Sequence, residues 1–235
     1  MDSIVILSLF TDAHQLRHCV VIPLIVASFW YILYAAICNT HKNQSSEWSC
    51  RIISLIHAVI ITDIIGIYFL TYNWPFDHLG ERNTEMQRII LTISAGYFWF
   101  DTAWCLYMKT ETPLMILHHS VSLVFLLYSL CVDRSGAETI SVVWGSEITN
   151  PFLQVRWFLK KTGNYNTMFA KLNDLIFIGL FALVRILIGG YLALETFYSA
   201  NTPNFVKAGG CVFYTIGVIW LCQILHFARK RFGLK

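Results

Sequence analysis

Two stretches of this 235-residue chain set reactive side chains in an apolar background. The first reads Leu114-Met115-Ile116-Leu117-His118-His119-Ser120; the second reads Gly145-Ser146-Glu147-Ile148-Thr149-Asn150-Pro151-Phe152-Leu153-Gln154-Val155-Arg156. An imidazole can act as a general base or as a covalent nucleophile. His118 and His119 are adjacent, so on a helix they point about 100° apart. One could face a cavity while the other bonds a neighbouring helix. Asp101 could fix the tautomer and hold the imidazolium, as the acid of a hydrolase triad does. The plainer alternative is an interhelical hydrogen bond without chemistry. Glu147, Asn150 and Gln154 fall at i, i+3 and i+7, hence on one face, and Pro151 leaves the carbonyl of Glu147 without its helical donor. A kinked polar face of this kind lines a cavity.

These spacings define the expected site. His118, His119, Asp101 and Glu147 are the catalytic candidates, and His57, Asn150, Gln154 and Arg156 the substrate-binding ones. Arg156 could bind a phosphate of a lipid or coenzyme, or simply reach the interface. Arg185 sits too deep in its apolar segment for that. It needs a carboxylate, with Asp63 and Glu147 as candidates, and a structural Asp63–Arg185 ion pair is expected.

The elements that must position these groups follow from composition. The chain is 56% hydrophobic, 15% aromatic and only 13% charged, whereas a soluble domain carries about 25% charged residues. An all-α polytopic membrane bundle of about seven transmembrane helices is predicted. Apolar runs of the roughly 20 residues needed to cross a bilayer fall at 19–38, 51–70, 88–107, 114–132, 138–157, 174–194 and 210–228. Residues 1–18 then form a luminal or interfacial segment, 19–228 the bundle and 229–235 a basic tail. Ile4–Phe10 is apolar but lacks a positive flank, which argues against a cleaved signal peptide.

Basic residues set the orientation. Lys42, Arg51, Lys109, Lys160, Lys161, Lys171, Arg229, Lys230, Arg231 and Lys235 belong to one side, against Arg17, Arg82, Arg88, Arg134 and Lys207. The richer side is cytosolic, so the C-terminus is expected in the cytosol and the N-terminus in the lumen or outside. The sequon Asn43-Gln44-Ser45 should then stay unglycosylated. A rise of about 1.5 Å per residue puts Asp101, His118 and His119 at one level, roughly 6–9 Å in from the cytosolic end, with His57, Glu147 and Asn150 in the same half.

Other classes fall away. A net charge of +3, concentrated in the C-terminal tail, does not suit nucleic acid. Seven scattered cysteines without a CxxC pair read as small buried hydrophobes, so no metal site and no bound cofactor are expected. The third helix ends Cys105-Leu106-Tyr107-Met108-Lys109, without the acidic-Arg pair of heptahelical receptors. The two halves show no repeat of the kind common in transporters.

Gly96-Tyr97-Phe98 followed by Asp101, the His118-His119 pair, and Glu147-Ile148-Thr149-Asn150-Pro151-Phe152 with Arg156-Trp157 resemble, in that order, the TLC family (TRAM, Lag and CLN homology) over roughly residues 50–230. The resemblance implies a seven-helix lipid protein of the endoplasmic reticulum or a related membrane. In the ceramide synthases of that family, paired histidines in a membrane cavity pass a fatty acyl group from acyl-CoA to a sphingoid amine. By matching position, His118 would accept the acyl group or act as base, with His119 beside it. Acyl-CoA would be the co-substrate and a membrane lipid the partner. Ceramide synthases carry a further histidine and aspartates where this chain has Gly145-Ser146-Glu147-Ile148-Thr149-Asn150, which leaves the acceptor open. A non-enzymatic lipid-binding, regulatory or trafficking role is the second reading.

Overall fold

The structure is a computed structural model describing residues 17–72 and 75–233; Ile4–Phe10 and Lys235 lie outside them. Its regular elements are helices: α1 Arg17–Thr40, α2 Ser46–Thr71, α3 Glu85–Met108, α4 Pro113–Val132, α5 Gly136–Glu147, α6 Asn150–Lys161, α7 Met168–Tyr198 and α8 Asn204–Phe232, with a short 3₁₀ turn Pro75–His78. Six of them are long and apolar enough to cross a membrane. The remaining run is α5 and α6 together, expected as one helix over 138–157. It is interrupted at Ile148-Thr149, because Pro151 cannot donate to the carbonyl of Glu147.

Local chemistry sets half of the helix starts. Ser45, Thr84, Thr112 and Thr167 each accept a backbone N–H of the first turn through the side-chain oxygen, and Thr84 and Gln87 form a reciprocal capping box. Each such cap is worth about 1 kcal/mol. α2, α3, α4 and α7 start one to six residues ahead of their apolar runs, at these polar caps.

The core gathers Ile53, Ile61 and Ile65 of α2 with Ile90, Leu91, Leu126 and Ile140, all essentially inaccessible. Helices α1 and α3 touch at Gly96, where an added Cβ would lie 2.5 Å from the Val26 side chain. α8 meets α4 at Gly209, where an added Cβ would sit within the Phe125 ring.

At one end the loops are latched by polar contacts. Glu138 accepts from the Gly80 backbone N–H at 2.7 Å and from Thr202 Oγ1 at 2.8 Å. Asn83 bonds Ser129 O and Gly136 N, both at 2.8 Å. Asp133 accepts from Arg82 Nε at 2.6 Å and Arg88 Nε at 2.8 Å. Partial burial opposes ionisation of Asp133, but the two guanidiniums outweigh it and hold the carboxyl below the usual carboxylate range. The other end carries Lys42, Lys109, Lys160, Lys161 and Arg229–Arg231, and is called the basic end below.

Candidate functional site

The α3–α4 pair brings the first two candidates together. Nδ1 of His119 lies 2.8 Å from Oδ2 of Asp101, with the carboxylate off the axis of the ring N–H. Asp101 is 3% exposed. Two thiols also reach it: Cys50 Sγ stands 3.8 Å from Oδ1 and Cys105 Sγ 3.9 Å from Oδ2. These cysteines are therefore polar partners of the acid and more than packing hydrophobes. Asp101, Cys105 and His119 present donor atoms within 4.8 Å of one another, a mixed set able to hold a borderline-soft divalent cation. CxxC spacing could not reveal it, since its members come from two helices.

His118 turns elsewhere. Its ring centre is 5.7 Å from that of His119 at 59°, and it packs edge-on against Trp220 at 4.9 Å and Phe213 at 5.6 Å. Its Nδ1 has no hydrogen-bond partner. His118 lines two hollows at once. One, of about 220 Å³, is the more polar of the two and reaches Arg51, Glu111 and Arg156 on the side of the basic end; it is also lined by His119, Asp101, Glu147, Asn150 and Gln154. The other, of about 140 Å³, is apolar and runs toward the latched end between Phe125, Val142, Leu192 and Phe213. Phe98, His118, Arg185 and Trp220 border both.

The interrupted helix supplies the facing wall. Asn150 Nδ2 donates to Glu147 Oε2 at 3.1 Å, and Gln154 Nε2 donates to Asn150 Oδ1 at 2.7 Å. This is the one-face ladder expected from the spacing.

Two expectations change, and a third residue gains a partner. His57 does not line the hollow. It is fully buried behind it, stacked on the Tyr97 ring at 3.7 Å, with Nδ1 3.4 Å from Glu147 Oε2. It shares its helix stripe with Ile53 and Ile61, which face the core, and so it supports Glu147 from the rear. Asp63 and Arg185 do not pair. Asp63 is exposed on the outer face of α2, whereas Arg185 donates to Ser146 O at 2.6 Å; helix rotation separates two residues of similar depth. Arg156 does line the polar hollow, but its Nε also lies 3.6 Å from Asp174 Oδ1, and its guanidinium covers the Phe227 ring at 3.7 Å.

Asp174 was missed from sequence. Wholly buried, it also accepts from Arg231 Nε at 3.0 Å and Tyr165 OH at 2.9 Å. One carboxylate thus organises two arginines at the mouth. An acid near the start of an apolar helix was the available signal.

A TLC domain matches residues 47–228 of the chain. Among its relatives, TLC domain-containing protein 4-B of Danio rerio is 24% identical over 80% of this chain and 76% of its own length. An uncharacterized TLC domain-containing protein of Schizosaccharomyces pombe is 26% identical, covering 81% and 68%. TLC domain-containing protein 4 A of Dictyostelium discoideum is 26% identical, covering 74% and 73%. With the matched region spanning most of a multi-pass helical bundle, the chain belongs to the TLC domain family.

Proposed function

We propose that this TLC-family protein transfers a fatty acyl group from acyl-CoA to an amine or hydroxyl of a membrane lipid. The observation that carries the reading is the His119–Asp101 contact at 2.8 Å, in a hollow that also holds the unpaired His118. A carboxylate on Nδ1 orients an imidazole and favours proton uptake at its other nitrogen.

In the first step a ring nitrogen of His118 attacks the thioester carbonyl carbon. A C–N bond forms, the C–S bond breaks, and the thiolate leaves with the proton lost from the His118 ring. In the second, His119 draws the proton from the acceptor. The acceptor heteroatom attacks the acyl carbon, the C–N bond breaks, and the proton returns to the His118 ring. The basic end faces the cytosol, where acyl-CoA is found, and the membrane is the endoplasmic reticulum or a related endomembrane. Arg156 and Lys160 at that end suit the phosphates of the coenzyme.

Purified protein in detergent, given acyl-labelled palmitoyl-CoA, tests this. Label should bind wild type and be absent from a folded His118→Ala variant. Wild type that neither retains nor transfers label overturns the enzymatic reading and leaves the lipid-binding one.

A further inference from the structure

Arg185 carries a charge that no ion pair among the described residues matches, although Glu147 lines the same hollow. Its helix widens to π geometry over Phe181–Ile188, a departure frequent at functional sites. One terminal nitrogen donates to Ser146 O at 2.6 Å, while Nε is buried without a partner. The rings of Phe181 and Trp220 lie 5.1 and 5.6 Å from the guanidinium. Among the described residues no carboxylate forms an ion pair with it. Glu147, which lines the same polar hollow, is engaged by His57 and Asn150. A cation within the hydrocarbon layer and without a counter-ion is costly, and aromatic faces recover only part of that cost.

The position of this cation says what would neutralise it. Arg185 borders both hollows, beside His118 and Trp220. Its planar fork suits a carboxylate, which accepts two parallel N–H bonds. The hollow leading away from it is walled mainly by apolar side chains, with Glu138 and a few hydroxyl residues also among its lining, and so offers a lodging for hydrocarbon.

We propose that this junction binds a long-chain fatty carboxylate, its head on Arg185 and its chain along the apolar hollow between Phe125, Val142, Leu192 and Phe213. The proposal rests on the acyl-transfer reading only for where the chain lies; binding requires no transfer chemistry.

The test is equilibrium binding of labelled palmitate to the full chain in nanodiscs, with unlabelled palmitate or hexadecanol as competitor. Saturable palmitate binding is expected, with hexadecanol at least about tenfold weaker. Arg185→Met should lose at least about tenfold in palmitate affinity and leave hexadecanol unchanged, with Arg185→Lys between the two. Equal affinities for the two ligands, undiminished palmitate binding by Arg185→Met, or no saturable binding to wild type overturns the proposal. Melting temperatures accompany each variant. Should Arg185→Met not fold, the palmitate–hexadecanol difference in wild type and its reduction in Arg185→Lys decide the matter. Palmitate binding without label transfer from palmitoyl-CoA removes the enzymatic reading alone; transfer without palmitate binding removes this one alone.

Discussion

His118 and His119 are neighbours in the chain, yet only His119 reaches Asp101, at 2.8 Å, while His118 packs against Trp220 with Nδ1 unbonded. Under the proposed mechanism the two have different work: one imidazole sits against a carboxylate, the other stands open at the meeting of a polar and an apolar hollow.

Loss of His118 and loss of the carboxylate beside His119 should therefore differ in effect. His118→Ala should abolish covalent labelling by palmitoyl-CoA. Asp101→Asn should keep the label but slow its passage to acceptor by about 10²–10⁴-fold, as loss of an oriented general base does. Single-turnover assays that follow retained and transferred label separately check this. Equal loss of both steps in both variants would contradict the assignment.

Asp174 should be a stability hub at the basic end. Asp174→Ala leaves Arg156 and Arg231 facing each other without their shared carboxylate, and breaking a buried pair costs about 3–5 kcal/mol. Arg231→Gln should cost more than Arg156→Gln, since Arg231 holds Asp174 at 3.0 Å and also donates to Tyr165 O at 2.6 Å, whereas Arg156 stands at 3.6 Å. Thermal melting in a fixed detergent ranks the three.

Adjacent glycines in α8 should respond with opposite signs. A Cβ on Gly209 would clash with the Phe125 ring, which is itself stacked on Phe205 at 4.7 Å, so Gly209→Ala should destabilise by about 1–3 kcal/mol. A Cβ on Gly210 meets nothing within 4 Å. Gly210→Ala should be neutral or stabilise by up to about 1 kcal/mol through helix propensity. The same melting assay reads both.

The Asp133 latch should give way to acid. Its folded carboxyl titrates below the usual carboxylate value, so the folded state gains from its ionisation at any pH above that value. The gain declines as pH falls below about 4 and is lost through the lower folded pKa. Asp133→Asn, which tolerates the left-handed backbone at φ 54°, should melt below wild type at pH 7. The gap should narrow as the pH falls below the ordinary carboxylate value and close only below the lowered folded one. Partial exposure of the pair keeps the effect at about 1 kcal/mol or less.

How far the sequence reaches is clear from particular residues. Crossing segments need only a local count of apolar residues, and depth needs only the helix rise. Those two facts sufficed to expect the bundle and to put Asp101 level with the histidine pair. The Glu147–Asn150–Gln154 ladder was equally legible, because all three residues belong to one face of one broken helix. What no local pattern carries is the rotation of each helix about its axis. In a membrane segment apolar side chains cover every face, so hydrophobic periodicity does not say which way a residue points. That rotation, set by packing such as Gly96 against Val26, turned Asp63 outward, placed His57 behind the hollow and brought Cys50 and Cys105 to Asp101. It also joined Asp174 to an arginine 57 positions away and left Arg185 between two hollows, with no ion pair among the described residues.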